Sequence, residues 1–166
     1  SVVSQFYGFL LFAFYYSIIG LNVYIITIAY IIWSIWDAIN DPLMGNLSDR
    51  TKTKWGRRKP YIIIGIIPVC IILVILWIPP TGSDVVTFTY FLIITLLYEL
   101  FYTMFSLNQT ALFPEMYQDL DNRAKANNII QIVGVVALIF AYISPSFFIP
   151  VYTDAQYKEN YIYAGI

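Results

Sequence analysis

Histidine is absent from the 166 residues, and cysteine occurs once, at Cys70. The first absence removes histidine-based nucleophilic triads, histidine metal sites and histidine proton relays, so any proton chemistry falls to carboxylates. A lone cysteine excludes a disulfide framework and a thiolate metal site. Cys70 stands in an apolar run and reads as a small buried or lipid-facing residue. Charge is scarce too: 11% of residues are Asp, Glu, Lys or Arg, against about 25% in soluble domains. The net charge of -1 gives a nucleic-acid partner no electrostatic footing. No glycine-rich phosphate loop and no paired cysteines occur, so no cofactor and no enzymatic centre is expected. No basic leader precedes the first apolar stretch, which starts close to Ser1. The expectation is a missing amino terminus rather than a signal peptide.

What the chain has in excess is apolar surface: 60% hydrophobic residues, 19% aromatic, and a mean hydropathy of +0.71. A soluble globule of this size turns most side chains toward water and could not hide so much. The surplus needs lipid. A membrane-spanning helix takes about 20 mostly apolar residues. Five runs qualify or nearly do: roughly Phe6 to Ile19 (a shortened first helix), Leu21 to Gly45, Tyr61 to Ile78, Val85 to Phe113 and Ile129 to Phe148. A sixth begins near Tyr161. Helices rather than a barrel follow, because the runs are long and unbroken where a barrel needs short alternating segments. The expected fold is an all-α membrane domain spanning residues 1–166, with about five full transmembrane helices.

The connections fall into two kinds. Gly20 to Asn22, Pro79 to Asp84 and Pro150 to Asn160 hold one basic residue, Lys158. The loop 46–60 holds Arg50, Lys52, Lys54, Arg57, Arg58 and Lys59, and the loop 114–127 holds Arg123 and Lys125. The positive-inside rule therefore places loops 46–60 and 114–127 in the cytoplasm of a multi-pass protein of the cell membrane.

Three acids interrupt the apolar runs. Asp37, Asn40 and Asp41 share one face of the second helix at spacings of three and four. A charge at mid-membrane costs about 2.5–3.5 kcal/mol on insertion scales, so two on one face need a reason. They either pair with a neighbouring helix near the cytoplasmic end or form an oxygen-rich site for Na⁺ or H⁺. Glu99 sits about halfway along the fourth run. Thr103, Ser106 and Thr110 follow at offsets of four, seven and eleven, in one polar stripe. Asp37 and Glu99 fall at similar depths, so the two polar faces could meet across one cavity; a protonated Glu99 that only joins helices is the plainer alternative. On the fifth helix Asn127, Asn128 and Gln131 share a face, suited to a hydroxyl-rich solute or to helix packing.

The stretch from Asp37 to Pro60 is the most specific in the chain. Gly45 removes a side chain where another helix could approach, Asp49 can accept hydrogen bonds from a neighbouring helix start, and Arg50, Arg57 and Arg58 can pair with cytoplasmic carboxylates. Together they read as a latch that holds one conformation. This stretch resembles the loop between helices 2 and 3 of the major facilitator superfamily: a glycine, then Asp-Arg, then a basic cluster. Trp36 to Pro42 with Thr53 to Arg57 looks like the glycoside–pentoside–hexuronide:cation symporters, which include the melibiose permeases. Ala111 to Met116, followed by Asp119 and Arg123, is similar to that family's segment after helix 4.

The resemblance implies most of the amino-terminal six-helix bundle of a twelve-helix symporter, partnered by a missing carboxy-terminal half. It implies that Asp37, Asn40, Asp41 and Thr103 bind the coupling cation. Ser106 stands where the family has a helix-4 aspartate, and Glu99 lies two turns away on the same face. The family's sugar-binding helix-1 acid would fall at or before Ser1, and its helix-5 arginine is replaced by apolar residues near Val133, so no particular disaccharide is implied. The function expected is Na⁺- or H⁺-driven symport of a sugar, glycoside or sugar acid. A lysolipid symporter of the same superfamily and a non-transporting membrane subunit are the alternatives.

Overall fold

The computed structural model describes residues 8, 10–80 and 82–148. The expected sixth helix near Tyr161, the connection 150–160 with Lys158, and most of the start of the first run lie outside them. The described elements are helical: α1, wound as a π-helix over Phe14–Ile18, then α2 (Val23–Arg50), α3 (Lys59–Ile75), α4 (Asp84–Met116) and α5 (Leu120–Phe148). By their contacts the residues divide into two compact units, 1–26 with 119–166, and 27–118. The second unit holds nearly all of α2, with α3 and α4.

Three helices are long and apolar enough to cross a membrane, Val23–Arg50, Asp84–Met116 and Leu120–Phe140, and Lys59–Ile75 is a shorter apolar helix. At about 1.5 Å per residue, the 33 residues of α4 outrun a hydrocarbon core of about 30 Å. The helices therefore project past the lipid, and two expected loops shrink. Loop 46–60 contracts to residues 51–58, and loop 114–127 to residues 117–119. The physical reason is that hydropathy ends at the membrane surface, while helix formation continues through polar residues. At the second site Asp119 acts as the cap of α5, accepting the backbone N–H of Asn122 at 3.2 Å on its carboxylate.

Among the described residues the extensive helix packing is α3 on α4. Gly65 permits it: a Cβ there would lie 2.9 Å from the Phe101 carbonyl oxygen and 3.0 Å from the Phe105 nitrogen. Such backbone-to-backbone approach is how helices associate when lipid supplies no hydrophobic drive. At Gly45 a Cβ would meet only the Leu107 side chain, at 4.0 Å. The close approach thus falls at Gly65, where the isoleucine-rich run gave no hint of it.

Burial in this unit is inverted relative to a soluble protein. Ile63, Ile64, Ile67 and Ile71 of α3 are exposed, whereas Thr87, Thr95, Glu99, Thr103 and Asn108 of α4 are buried with Phe91. Apolar outside and polar inside is the arrangement that lipid selects.

Candidate cation and solute site

The buried stripe of α4 repeats every fourth residue through Thr87, Phe91, Thr95, Glu99 and Thr103, as one face of a helix must. α2 meets it with a face set by the same spacing: Trp33, Asp37, then Asn40 and Asp41. Glu99 is only 6% exposed. The Trp33 indole N–H donates to Glu99 Oε2 at 2.8 Å, and the Asn40 amide donates to the Glu99 backbone carbonyl at 3.3 Å. The Thr103 hydroxyl lies 3.2 Å from both Glu99 Oε1 and Asp41 Oδ1, so its single hydrogen serves one carboxylate at a time. Asp37 lies close enough for its charge to act on the Glu99 carboxyl. The polar faces of α2 and α4 therefore touch directly.

Two buried polar atoms beside this cluster lack hydrogen-bond partners among the described residues: Asn40 Oδ1, on a side chain 1% exposed, and Trp36 Nε1. A buried carbonyl oxygen left over next to carboxylates is a donor for a hard cation. No three Asp, Glu, His or Cys side chains among the described residues converge tightly enough to hold a metal ion alone. A cation here would draw on the neutral oxygens of Asn40 and Thr103 as well.

Ser106 and Thr110 leave the buried stripe. With Asp41, Leu107 and Ala111 they line an open recess of about 400 Å³. Asp41 thus borders both the acid cluster and the recess. Asn128 and Gln131 are exposed on α5, in the other unit.

The ends of the three helices form a second constellation. Arg58 pairs with Asp49 at 3.2 Å and with Glu115 at 2.9 Å, and Arg57 pairs with Glu115 at 2.7 Å. Asp49 reaches the side chain of Arg58, the cap residue of α3, rather than the N–H groups of that helix. The hydrogen bonds from Arg58 and then Arg57 hold the Glu115 carboxyl below its ordinary value. The same bond to Glu115 raises Arg57. Arg50 makes no ion pair among the described residues.

Trp33 and Glu115 were not among the expected site residues. Trp33 sits four residues before Asp37, one helical turn away, and its indole N–H was the available signal. Glu115 is 57 residues from Arg58, and nothing local connects them.

Long apolar helices whose acidic side chains meet between α2 and α4 are the architecture of an integral membrane protein. The model of the MFS/sugar transport protein family matches residues 1–166, and the chain belongs to that family. It is similar to an uncharacterized symporter of Synechocystis sp., 36% identical over 137 residues, covering 77% of this chain and 25% of the relative. It is also similar to the inner membrane symporter YicJ of Escherichia coli, 32% identical over 99 residues, covering 60% and 22%. A lactose permease of Lactobacillus helveticus is 27% identical over 104 residues, covering 60% and 16%. The chain spans a quarter or less of the length of these relatives. No solved structure matches it significantly.

Proposed function

We propose that the protein containing this chain is a secondary active transporter that carries a sugar or other hydroxyl-rich solute together with Na⁺ or H⁺. The observation that carries this reading is uncompensated charge. Asp37, Asp41 and Glu99 meet inside a helix pair in which the only basic residue is Arg50, at the far end of α2. Glu99 is buried, Asp37 half-buried and Asp41 exposed at the edge of the recess, and carboxylates crowded at such a boundary disfavour one another's ionised form unless a partner is present. A mobile cation supplies the missing charge, with Asp37, Asn40, Asp41, Glu99 and Thr103 as its ligands. Neutralising the seam lowers the cost of closing it away from water, which ties cation entry to the conformational cycle.

The solute reading rests on the recess, where Ser106 and Thr110 offer hydroxyls beside the Asp41 carboxylate, and on the sugar named in the lactose permease relative. The carboxy-terminal half would close the site. The basic ends of α2 and α3 face the cytoplasm of a plasma-membrane protein in this reading, and Asp49, Arg57 and Arg58 with Glu115 form the latch.

The test is uptake by the full-length protein in sealed vesicles, across a panel of sugars, with imposed Na⁺ or H⁺ gradients. Accumulation of one solute driven by one of the gradients is expected. Flux that ignores both gradients would remove the coupling and leave a facilitator.

A further inference from the structure

The loop between α2 and α3 carries more positive charge than its own fold uses. Six basic residues stand between Arg50 and Lys59. Glu115 and Asp49 take up Arg57 and Arg58. Arg50, Lys52, Lys54 and Lys59 are exposed and make no ion pair among the described residues.

This loop has a defined shape. The Thr51 hydroxyl donates to the Leu47 carbonyl at 2.9 Å and lies 2.6 Å from the Tyr61 hydroxyl, which ties the end of α2 to the start of α3. A turn follows in which the Gly56 N–H donates to the Thr53 carbonyl at 3.1 Å. The Thr53 hydroxyl accepts the Trp55 N–H at 3.3 Å and donates to the Gly56 carbonyl. Gly56 has φ +92°, which L side chains rarely adopt. The outcome is a preformed turn that holds Trp55 outward, 68% exposed, between Lys54 and the arginine pair.

Its depth is set by α2, whose 28 residues reach about 42 Å. That matches the roughly 40–45 Å of a bilayer with its headgroups, so the Arg50 end reaches the headgroup surface and the loop after it lies against that surface. An indole kept away from the protein at this level has an apolar destination at the headgroup–acyl boundary, where tryptophan collects.

We propose that the 50–59 segment binds the headgroups of anionic phospholipids, with Trp55 seated at that boundary and Arg50, Lys52, Lys54 and Lys59 on the phosphates. The exposed Leu43 and Leu47 just before it on α2 favour lipid over an acidic polypeptide, because the same partner covers both the apolar and the basic surface. The proposal stands apart from which solute or ion is carried.

The experiment places the full-length protein in phosphatidylcholine nanodiscs holding a minor fraction of phosphatidylglycerol. The Trp55 signal is the fluorescence difference between the parent and Trp55→Phe. Brominated phosphatidylglycerol is expected to quench that signal several-fold more than brominated phosphatidylcholine at the same mole fraction. Lys52→Gln and Lys54→Gln should each reduce the preference, by up to about fivefold per charge, and high salt should reduce it too. These side chains are exposed, so the variants keep the fold. Equal quenching by the two lipids, or a preference that survives both lysine substitutions, overturns the proposal. No quenching by either lipid, with a Trp55 response to soluble polyglutamate instead, overturns it in favour of an acidic polypeptide.

Discussion

At mid-helix, α2 and α4 bring Asp37, Asp41 and Glu99 together with no basic side chain on either helix at that level. Sixteen residues further along α4, about 24 Å away, Glu115 meets Arg57 and Arg58, and Arg58 also holds Asp49. The upper cluster is all acid, with Glu99 buried, Asp37 half-buried and Asp41 exposed at its edge; the lower one is balanced in charge, mostly exposed and complete without a ligand. In water the lower pairs gain little, because solvent screens them. In the apolar interior an unpaired charge is costly. Under the proposed function the ligand-dependent part of this protein falls at the seam, and the lower cluster sets how the helix ends sit.

The strongest way to break that comparison is to remove a seam acid. Asp41→Asn is expected to have the largest effect, since Asp41 Oδ1 lies 3.2 Å from Thr103 and the residue also borders the recess. A lost charge-assisted contact of about 1.5–3 kcal/mol corresponds to roughly 10- to 100-fold weaker cation dependence. Asp37→Asn and Glu99→Gln should follow in the same assay of gradient-driven uptake. Trp33→Phe keeps the charge and loses only the indole N–H at 2.8 Å from Glu99, so it should raise the cation requirement by about tenfold at most. Unchanged cation dependence in Asp37→Asn and Asp41→Asn would show that the seam is helix glue.

A smaller effect separates the helices that are welded together from those that meet through side chains. Gly65→Ala would push a methyl against the Phe101 carbonyl at 2.9 Å and the Phe105 backbone at 3.0 Å. Backbone cannot yield as a side chain can, and a loss of about 1–3 kcal/mol is expected. Gly45→Ala meets only Leu107, at 4.0 Å, and should stay within about 0.5 kcal/mol. Thermal unfolding of the two variants in detergent measures both. Equal losses would mean that α2 and α4 pack more tightly at Gly45 than this conformation shows.

These cases also show what the linear chain could reveal. The four later helices were legible from apolar run length, because lipid demands it. The shared face of Asp37, Asn40 and Asp41, and the stripe through Glu99 and Thr103, follow from helical spacing alone. Helix ends were not legible, since α5 begins at Leu120, well before hydropathy rises at Ile129. Nor were the pairings that cross the chain: Trp33 to Glu99 spans 66 residues and Arg57 to Glu115 spans 58. Spacing rules act within one helix, and only the packing of α3 and α4 decides which distant carboxylate an arginine meets.

The smallest expected effect is at the lower cluster, and its pH dependence sharpens the contrast. Glu115 is held below its ordinary value of 4.5, first by the Arg58 hydrogen bond and then by that of Arg57. A group with a depressed folded value contributes above its unfolded value and loses that contribution as pH falls through the folded one. The clamp is therefore intact from neutral pH down to about 4.5 and releases only below it, so ordinary assay conditions never open it by protonation. Glu115→Gln mimics that release at neutral pH. It frees Arg57 and leaves the mostly covered Arg58 on Asp49 alone, and because Glu115 and Arg57 are solvent-exposed the fold should weaken little. The expected signature is a changed transport rate with solute affinity and cation dependence unaltered, and a sensitivity of the parent rate to salt that the variant lacks. A defect confined to solute affinity would place Glu115 in the solute path and remove the latch; an altered cation dependence would join the two clusters, which are separated by about 24 Å along α4 from Glu99 to Glu115 and by about 12 Å along α2 from Asp41 to Asp49.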